Sequence, residues 1–511
     1  MALSRKLISA ILPLPITILI LSLAGCQQPG NGYMVTRYGA KGDGNTLNTS
    51  SIQQAIDACY EAGGGRVVVP PGEFVTGTIL LRSHVNLHLE QGARLIGSLD
   101  TIDYRIDGRK HGIIYAFQCM GVTLSGEGEI DGRGTRFHLA GRAHAGPDYV
   151  RSATRQGEAY LPIDPVPPDG PIGYDARPGM MVVFLQCEQV SIQDLTFRDS
   201  PEWTFRIADC DDVLVTGISI HNNLLIPNSD GVHCTTSRNV RISDCDIRAG
   251  DDAIIVTGFG TDVGVGGDIN TRLDYTSREV GNKTGYAENV VVTNCLLQSR
   301  SAGIRVGYGI NPIRNCTFSN LVIYGSNRGL GVFSRDAGSI ENILFSDIII
   351  HNRLHSGHWW GNGEPVHVSA IRQSPDAPAG PVSHVRFRNI IAESETGMVI
   401  WGMPESPVTD VLLEEVSIRI SAGKHGEDYG GNFDLRPVYP RELGIFQHDI
   451  PALYAQHVHG LRIRGLSVEW GEGLPPYMSH AVYCKACPGL DIDDFTGSAA
   501  NPSLQQIEVV K

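Results

Sequence analysis

Three aspartates, Asp230, Asp251 and Asp252, are the residues of this 511-residue chain whose type and spacing could do acid–base chemistry. They lie in the stretch 228–256 (NSDGVHCTTSRNVRISDCDIRAGDDAIIV), where a strand-like pattern repeats after 251 − 230 = 21 residues. In a chain that coils with a period near that value, the carboxylates fall on adjacent rungs of one sheet, about 4.8 Å apart at the backbone. Cleaving a glycosidic bond takes a proton donor for the leaving oxygen and a carboxylate that activates water, ~6.5–9.5 Å apart in a single-step, inverting reaction. Clustered like charges also raise the affinity of one member for a proton, which keeps an acid available near neutral pH. Aspartate and asparagine cap backbone amides in the turns of any β solenoid, so an isolated Asp-Asp reads as structural. Three carboxylates one coil apart, beside Asn228, favour chemistry.

The elements that must position them are legible as a repeat. Two alternating apolar pairs, two residues apart, recur from Val190, Val213, Val240, Val290, Cys316, Ile343, Val385, Val411 and Leu461. The steps are 23, 27, 50, 26, 27, 42, 26 and 50, so most are one coil, and the long ones are two coils or a coil with an insertion. Period-2 strands at such spacing, separated by Gly, Asn and Asp, predict an all-β parallel β-helix. A second column, small-apolar-any-apolar, starts at Gly231, Ala253, Gly303, Gly329 and Gly397. It aligns Asp230, Asp252, Ala302, Arg328 and Thr396 just before the strand. It also sets His233, Ile255, Arg305, Gly331 and Val399 on the outward side. Four stretches break the repeat, at about 133–180, 258–286, 351–382 and 421–455, and are expected to wall a cleft beside the outer face. Ahead of the coils, Ile52, Ala55, Ile56 and Cys59 share one helical face and Gly63-Gly64-Gly65 ends it. Such a helix would cap the first rung, which has no neighbour of its own.

Composition narrows the partners. A net charge of −14 argues against nucleic acid, which needs a basic face. Arg5 and Lys6 precede an apolar run from Leu7 to Ala24 that ends in Leu23-Ala24-Gly25-Cys26, the layout of a secretory signal. Residues 1–25 are therefore expected to be removed and the rest exported. Its last four residues resemble the bacterial lipobox, which implies a lipid on Cys26 and attachment to the outer membrane, on its periplasmic or surface face. Residues 33–511 are expected to form one domain, a monomer that meets membrane only through the anchor.

The segments YGAKGDG near the amino terminus, VPPGEF from Val69, SPEWTF at Ser200, and N-S-D followed by G-D-D resemble glycoside hydrolase family 28, the polygalacturonases and their relatives. The resemblance implies a right-handed β-helix, an inverting mechanism and no metal or other cofactor. It makes Asp251 the general acid, with Asp230 and Asp252 positioning and activating water, and matches Asn228 to the first motif residue. Two family motifs are replaced. Gly-His-Gly appears as Ser301-Ala302-Gly303, and Arg-Ile-Lys, which grips the sugar carboxylate, appears as Gly331-Val332-Phe333. Without that charge-assisted clamp, plain polygalacturonan is in question, and a pectin-like or other acidic polysaccharide is the expected substrate. A β-helix polysaccharide lyase and a non-catalytic glycan-binding solenoid are the alternatives.

Further candidates surround the trio. Arg305, outward and one rung before Gly331, could reach a carboxylate or sulfate, or could pair with an acidic neighbour. Trp359 and Trp360, in HSGHWWGNGEP, could stack on a sugar ring or anchor their loop by burial. His233, three residues after Asp230, is the best placed of the ambiguous histidines, ahead of His355 and His367. The cysteines read as core packing, with Cys484 and Cys487 open to a disulfide but weak as a metal site.

Overall fold

The computed structural model describes residues 32–144, 153–157, 160, 166–259, 285–376 and 378–511. The chain is a right-handed parallel β-helix: a 13-stranded sheet backs onto a 22-stranded one, with parallel pairing throughout both. In the smaller sheet the rungs follow one another as Phe205, Val232, Ile254, Ile304, Leu330 and Val366 in register. It continues through Met398, Leu453, Val482 and Ile507. Each rung leaves half its strand residues facing inward, and Val232, Cys234, Ile254, Val256, Ile304 and Val306 are all buried.

The predicted repeat starts from Val190 to Val411 stack on one another. Val190 pairs with Val213, Val213 with Val240, and Val240 with Val290. Cys316, Ile343, Val385 and Val411 continue the column. The long steps are single coils carrying insertions, because Val240 pairs directly with Val290 and Ile343 with Val385. Phe318, Phe345 and Phe387 form a stacked ladder inside, with ring centroids 5.0 and 5.1 Å apart. At the turns an asparagine ladder runs outside: Asn289 donates to Asn239 at 3.1 Å and Asn342 to Asn315 at 3.2 Å. These asparagines sit at φ of 55–58°, a left-handed conformation that their short polar side chain tolerates.

The small-residue column has a steric cause. A Cβ on Gly231 would stand 2.2 Å from the Ala253 carbonyl oxygen, and one on Gly397 would stand 1.9 Å from that of Pro451. One rung escaped the sequence pattern. The strand Val366–Ala370 lies between Arg328–Ser334 and Met398–Trp401, within what reads as an insertion. Its small position is held by Pro365, which the search for Gly or Ala passes over. Glu364 and His367 therefore join the two columns.

The helix Thr49–Glu61 caps the first coil as expected, burying Ile52, Ala55, Ile56 and Cys59. The ten described cysteines are all free, so Cys484 and Cys487 form no disulfide here. No described helix is long and apolar enough to cross a membrane. Residues 1–31, with the signal segment and Cys26, lie outside the described residues.

Candidate active site

Two successive rungs of the smaller sheet bring the aspartates together. Asp230 precedes the strand Val232–Thr235, and Asp251 and Asp252 precede Ile254–Gly258. One oxygen from each carboxylate lies within 4.8 Å of the other two, and all three residues are buried, 3–5% exposed. That spacing is closer than the separation expected for a donor and base that must admit water between them.

Serines fix the backbone of this corner. The Ser229 hydroxyl accepts from the Gly250 amide at 3.0 Å, tying the two rungs together. Ser299, one coil on, donates to the Asp251 carbonyl at 2.6 Å. Asn228 occupies a left-handed turn at φ 57°, from which its amide donates to Asp251 Oδ2 at 3.2 Å. Its side-chain oxygen accepts from Arg177 Nη2 at 3.4 Å, and Arg177 lies over the Tyr174 ring. Asn228 thus meets the trio through its backbone and Arg177 through its side chain. Serines carry no distinctive spacing in a β-helix, which is why Ser229, Ser299 and Ser301 gave no signal in the sequence.

The three carboxylates are not equivalent. Asp252 Oδ1 accepts from Ser301 Oγ at 2.6 Å and from the Ala302 amide at 2.9 Å, and Arg305 Nε lies 2.7 Å from Oδ2. Among the described residues, Asp251 accepts from the Asn228 and Asp252 backbone amides, the latter at 3.0 Å. Asp230 Oδ1 is buried with no hydrogen-bond partner among the described residues. Burial, and next the Asp252 charge, push Asp251 up to about 7, with Arg305 opposing. Burial, Asp251 and Asp252 raise Asp230 well above the usual carboxylate range. Burial works against the Arg305 charge, but the three carboxylates and Tyr308 outweigh it and hold the guanidinium protonated.

His233 shares the outward side as predicted, yet it is fully covered. Trp203 lies on it at 3.9 Å between ring centroids, and Phe259 flanks it at 6.0 Å. Its Nε2 meets Thr257 Oγ1 at 3.1 Å, and its Nδ1 is 3.8 Å from Asp230 Oδ2. His233, the best placed of the ambiguous histidines, thus backs the trio with its ring covered. Arg305 pairs with the acidic neighbour, its side chain 11% exposed. Of the two readings for Trp359, the structure shows the anchoring one: it is buried and its indole donates to the Asp169 carbonyl at 2.6 Å. Trp360 is partly exposed and lies 5.0 Å from the Arg436 guanidinium.

The described parts of three insertions lock together beside the trio. Asp169 Oδ2 lies 3.6 Å from both Arg353 and Lys424, and its amide donates to Ser356 Oγ at 2.9 Å. Asn362 donates to the carbonyls of Tyr429 and Asn432, at 2.9 and 2.8 Å. Two rungs from Asp252, about 10 Å away by the strand spacing, Arg328 faces Glu364 at 3.5 Å and Asp434 at 3.6 Å. Arg436 pairs with Asp434 at 2.7 Å, and despite burial these cations bring Asp434 down to about 2. Phe333, where the family clamp would carry a cation, is buried with the Arg328 guanidinium 4.8 Å from its ring. The partners of Arg328 come from more than 30 residues away in sequence, so sequence spacing could not join them.

Among the described residues, Asp230, Asp251 and Asp252 form the group whose spacing could hold a metal ion. Arg305 already places a positive charge against Asp252, so a cation would enter against that charge.

Fold and site together define a parallel β-helix protein with a buried acidic trio on one outer face. The model of glycosyl hydrolases family 28 matches residues 175–428, a span that contains the whole trio. The chain is 31% identical over 261 residues to an exo-poly-alpha-D-galacturonosidase of Dickeya chrysanthemi, covering 45% of this chain but 42% of that protein. It is 24% identical over 412 residues to a probable polygalacturonase of Vitis vinifera, covering 75% of this chain and 74% of that one. A solved exopolygalacturonase from Thermotoga maritima superposes with a TM-score of 0.58 at 23% identity, over 78% of this chain and 88% of the other. The matched region includes the segment that builds the site.

Proposed function

We propose that the protein is a family 28 glycoside hydrolase that cleaves a pectin-like or other acidic polysaccharide. The observation that carries this reading is the inequality of the three carboxylates. Asp251, buried and raised to about 7, is suited to protonate the leaving oxygen. Asp252, facing a cation and two hydrogen-bond donors, is suited to remain ionised and activate water. Asp230, short of a donor on Oδ1, completes the water site.

Inversion at the anomeric carbon is part of the proposal, supported by the family resemblance. The compact oxygen spacing makes it the step that needs its own measurement. The interlocked insertions support attack near a chain end, where a wall limits how far the polymer extends. The signal and lipobox support an exported protein held to the outer membrane through Cys26.

Product analysis tests the reading. Wild type and Asp251→Asn are incubated with pectic, rhamnogalacturonan and sulfated polysaccharides. Saturated products that disappear in the variant are expected, with the first-formed anomer, read by NMR, opposite to that of the substrate. Unsaturated products would indicate a lyase. Binding without turnover by the wild type would indicate a glycan-binding solenoid, the reading favoured by the replaced clamp residues.

A further inference from the structure

We propose that Arg305 is a positioning residue that fixes Asp252 as the ionised member of the trio. This rests on the hydrolase reading for its role in turnover, though the charge assignment itself stands on the geometry. The residues that favour ionised Asp252 all come from one segment of the following coil. Ser301 Oγ and the Ala302 amide take Oδ1, and Arg305 Nε lies against Oδ2 at 2.7 Å. Nε makes this contact without hydrogen-bond alignment, so it is an ion pair held by charge and packing. Beneath it the Tyr308 ring lies 4.8 Å from the guanidinium carbon, which keeps the cation in place.

The other groups around Asp252 do not do this. Asp251 and Asp230 are carboxyl groups, both raised by burial, and supply no positive charge. His233, beside Asp230, is held neutral by burial and by the neighbouring Arg305 and Arg206. The expected family histidine is here Ala302, which offers only a backbone donor. Arg305 is therefore the described cation in contact with the trio, delivered three residues later from the outward side of the same strand.

A fork for a substrate carboxylate would be a different role, and the two are separable. Thermal unfolding of wild type, Arg305→Gln and Arg305→Lys is followed from pH 4 to pH 8, a readout that needs no substrate. When the carboxylates are protonated the guanidinium has little to stabilise; when they ionise, its loss is felt. The Gln variant is therefore expected to fall further below wild type as pH rises, and Lys to restore much of the difference. A deficit of the same size at every pH would overturn the proposal and leave Arg305 a packing residue. On the substrate that the product screen identifies, kcat/KM of Arg305→Gln is expected to have its pH limbs moved upward by about one unit or more. Limbs that stay in place while KM rises would overturn it in favour of the fork. If the wild type turns nothing over, the hydrolase reading fails, and the unfolding series still decides the charge assignment.

Discussion

The Trp203 indole lies on the His233 imidazole, with centroids 3.9 Å apart and planes tilted by 31°. This contact converts an outward-facing residue beside the acidic trio into a covered one. Burial, with Arg305 and Arg206 nearby, holds the ring neutral, its pKa well below the ordinary histidine value. The outward side of a β-helix rung is therefore not the same as an exposed surface.

His233→Gln should leave KM for the substrate unchanged within about twofold, because the ring touches no open cleft. Stability should fall by about 1–3 kcal/mol, since the packing on Trp203 and the contact with the buried Thr257 hydroxyl are disturbed. Chemical denaturation together with steady-state kinetics checks both. A large rise in KM with normal stability would restore His233 as a sugar contact.

Asp251→Asn should lower kcat by about 10²–10⁴-fold, the usual worth of a general acid. In the wild type, kcat/KM should decline as pH rises through about 7, where Asp251 loses its proton. The same shift has a stability consequence. The folded state binds this proton more tightly than the unfolded chain does, so wild-type stability is lost as pH rises from the ordinary carboxylate range through about 7. The Asn variant lacks that loss and should gain in Tm relative to wild type between pH 4 and pH 8.

The two neighbouring tryptophans should separate cleanly. Trp359→Ala empties a buried site and removes the bond to the Asp169 carbonyl, so a loss of about 3–5 kcal/mol is expected. Trp360→Ala, at a partly exposed position, should cost less stability. Any effect on affinity for oligosaccharides, read by calorimetry, should appear there instead.

Phe345 is stacked on both faces, by Phe318 and Phe387. Phe345→Ala should destabilise the protein by about 3–5 kcal/mol in urea denaturation. Because the trio is on another sheet, the specific activity of the folded fraction should not change.

The coil register, the cap helix and the grouping of Asp230 with Asp251 and Asp252 were all legible in the chain itself. A parallel β-helix pairs residues one coil apart, so an apolar pattern of period two, repeated at near-constant spacing, states which residues stack. The small-residue column was legible for the same reason, because Gly231, Gly329 and Gly397 each meet the carbonyl of the next rung and Gly303 meets the Ile323 side chain. Where Pro365 stood in that column the pattern failed, and with it went Glu364 and His367. Only the tertiary structure decided how charge is divided within the trio, since that depends on side-chain directions at Ser301 and Arg305. It alone also decided the fates of His233 and Trp359, which turn on what the insertions and neighbouring coils lay over them. Burial by segments distant in sequence leaves no periodic trace, whereas stacking by adjacent coils does.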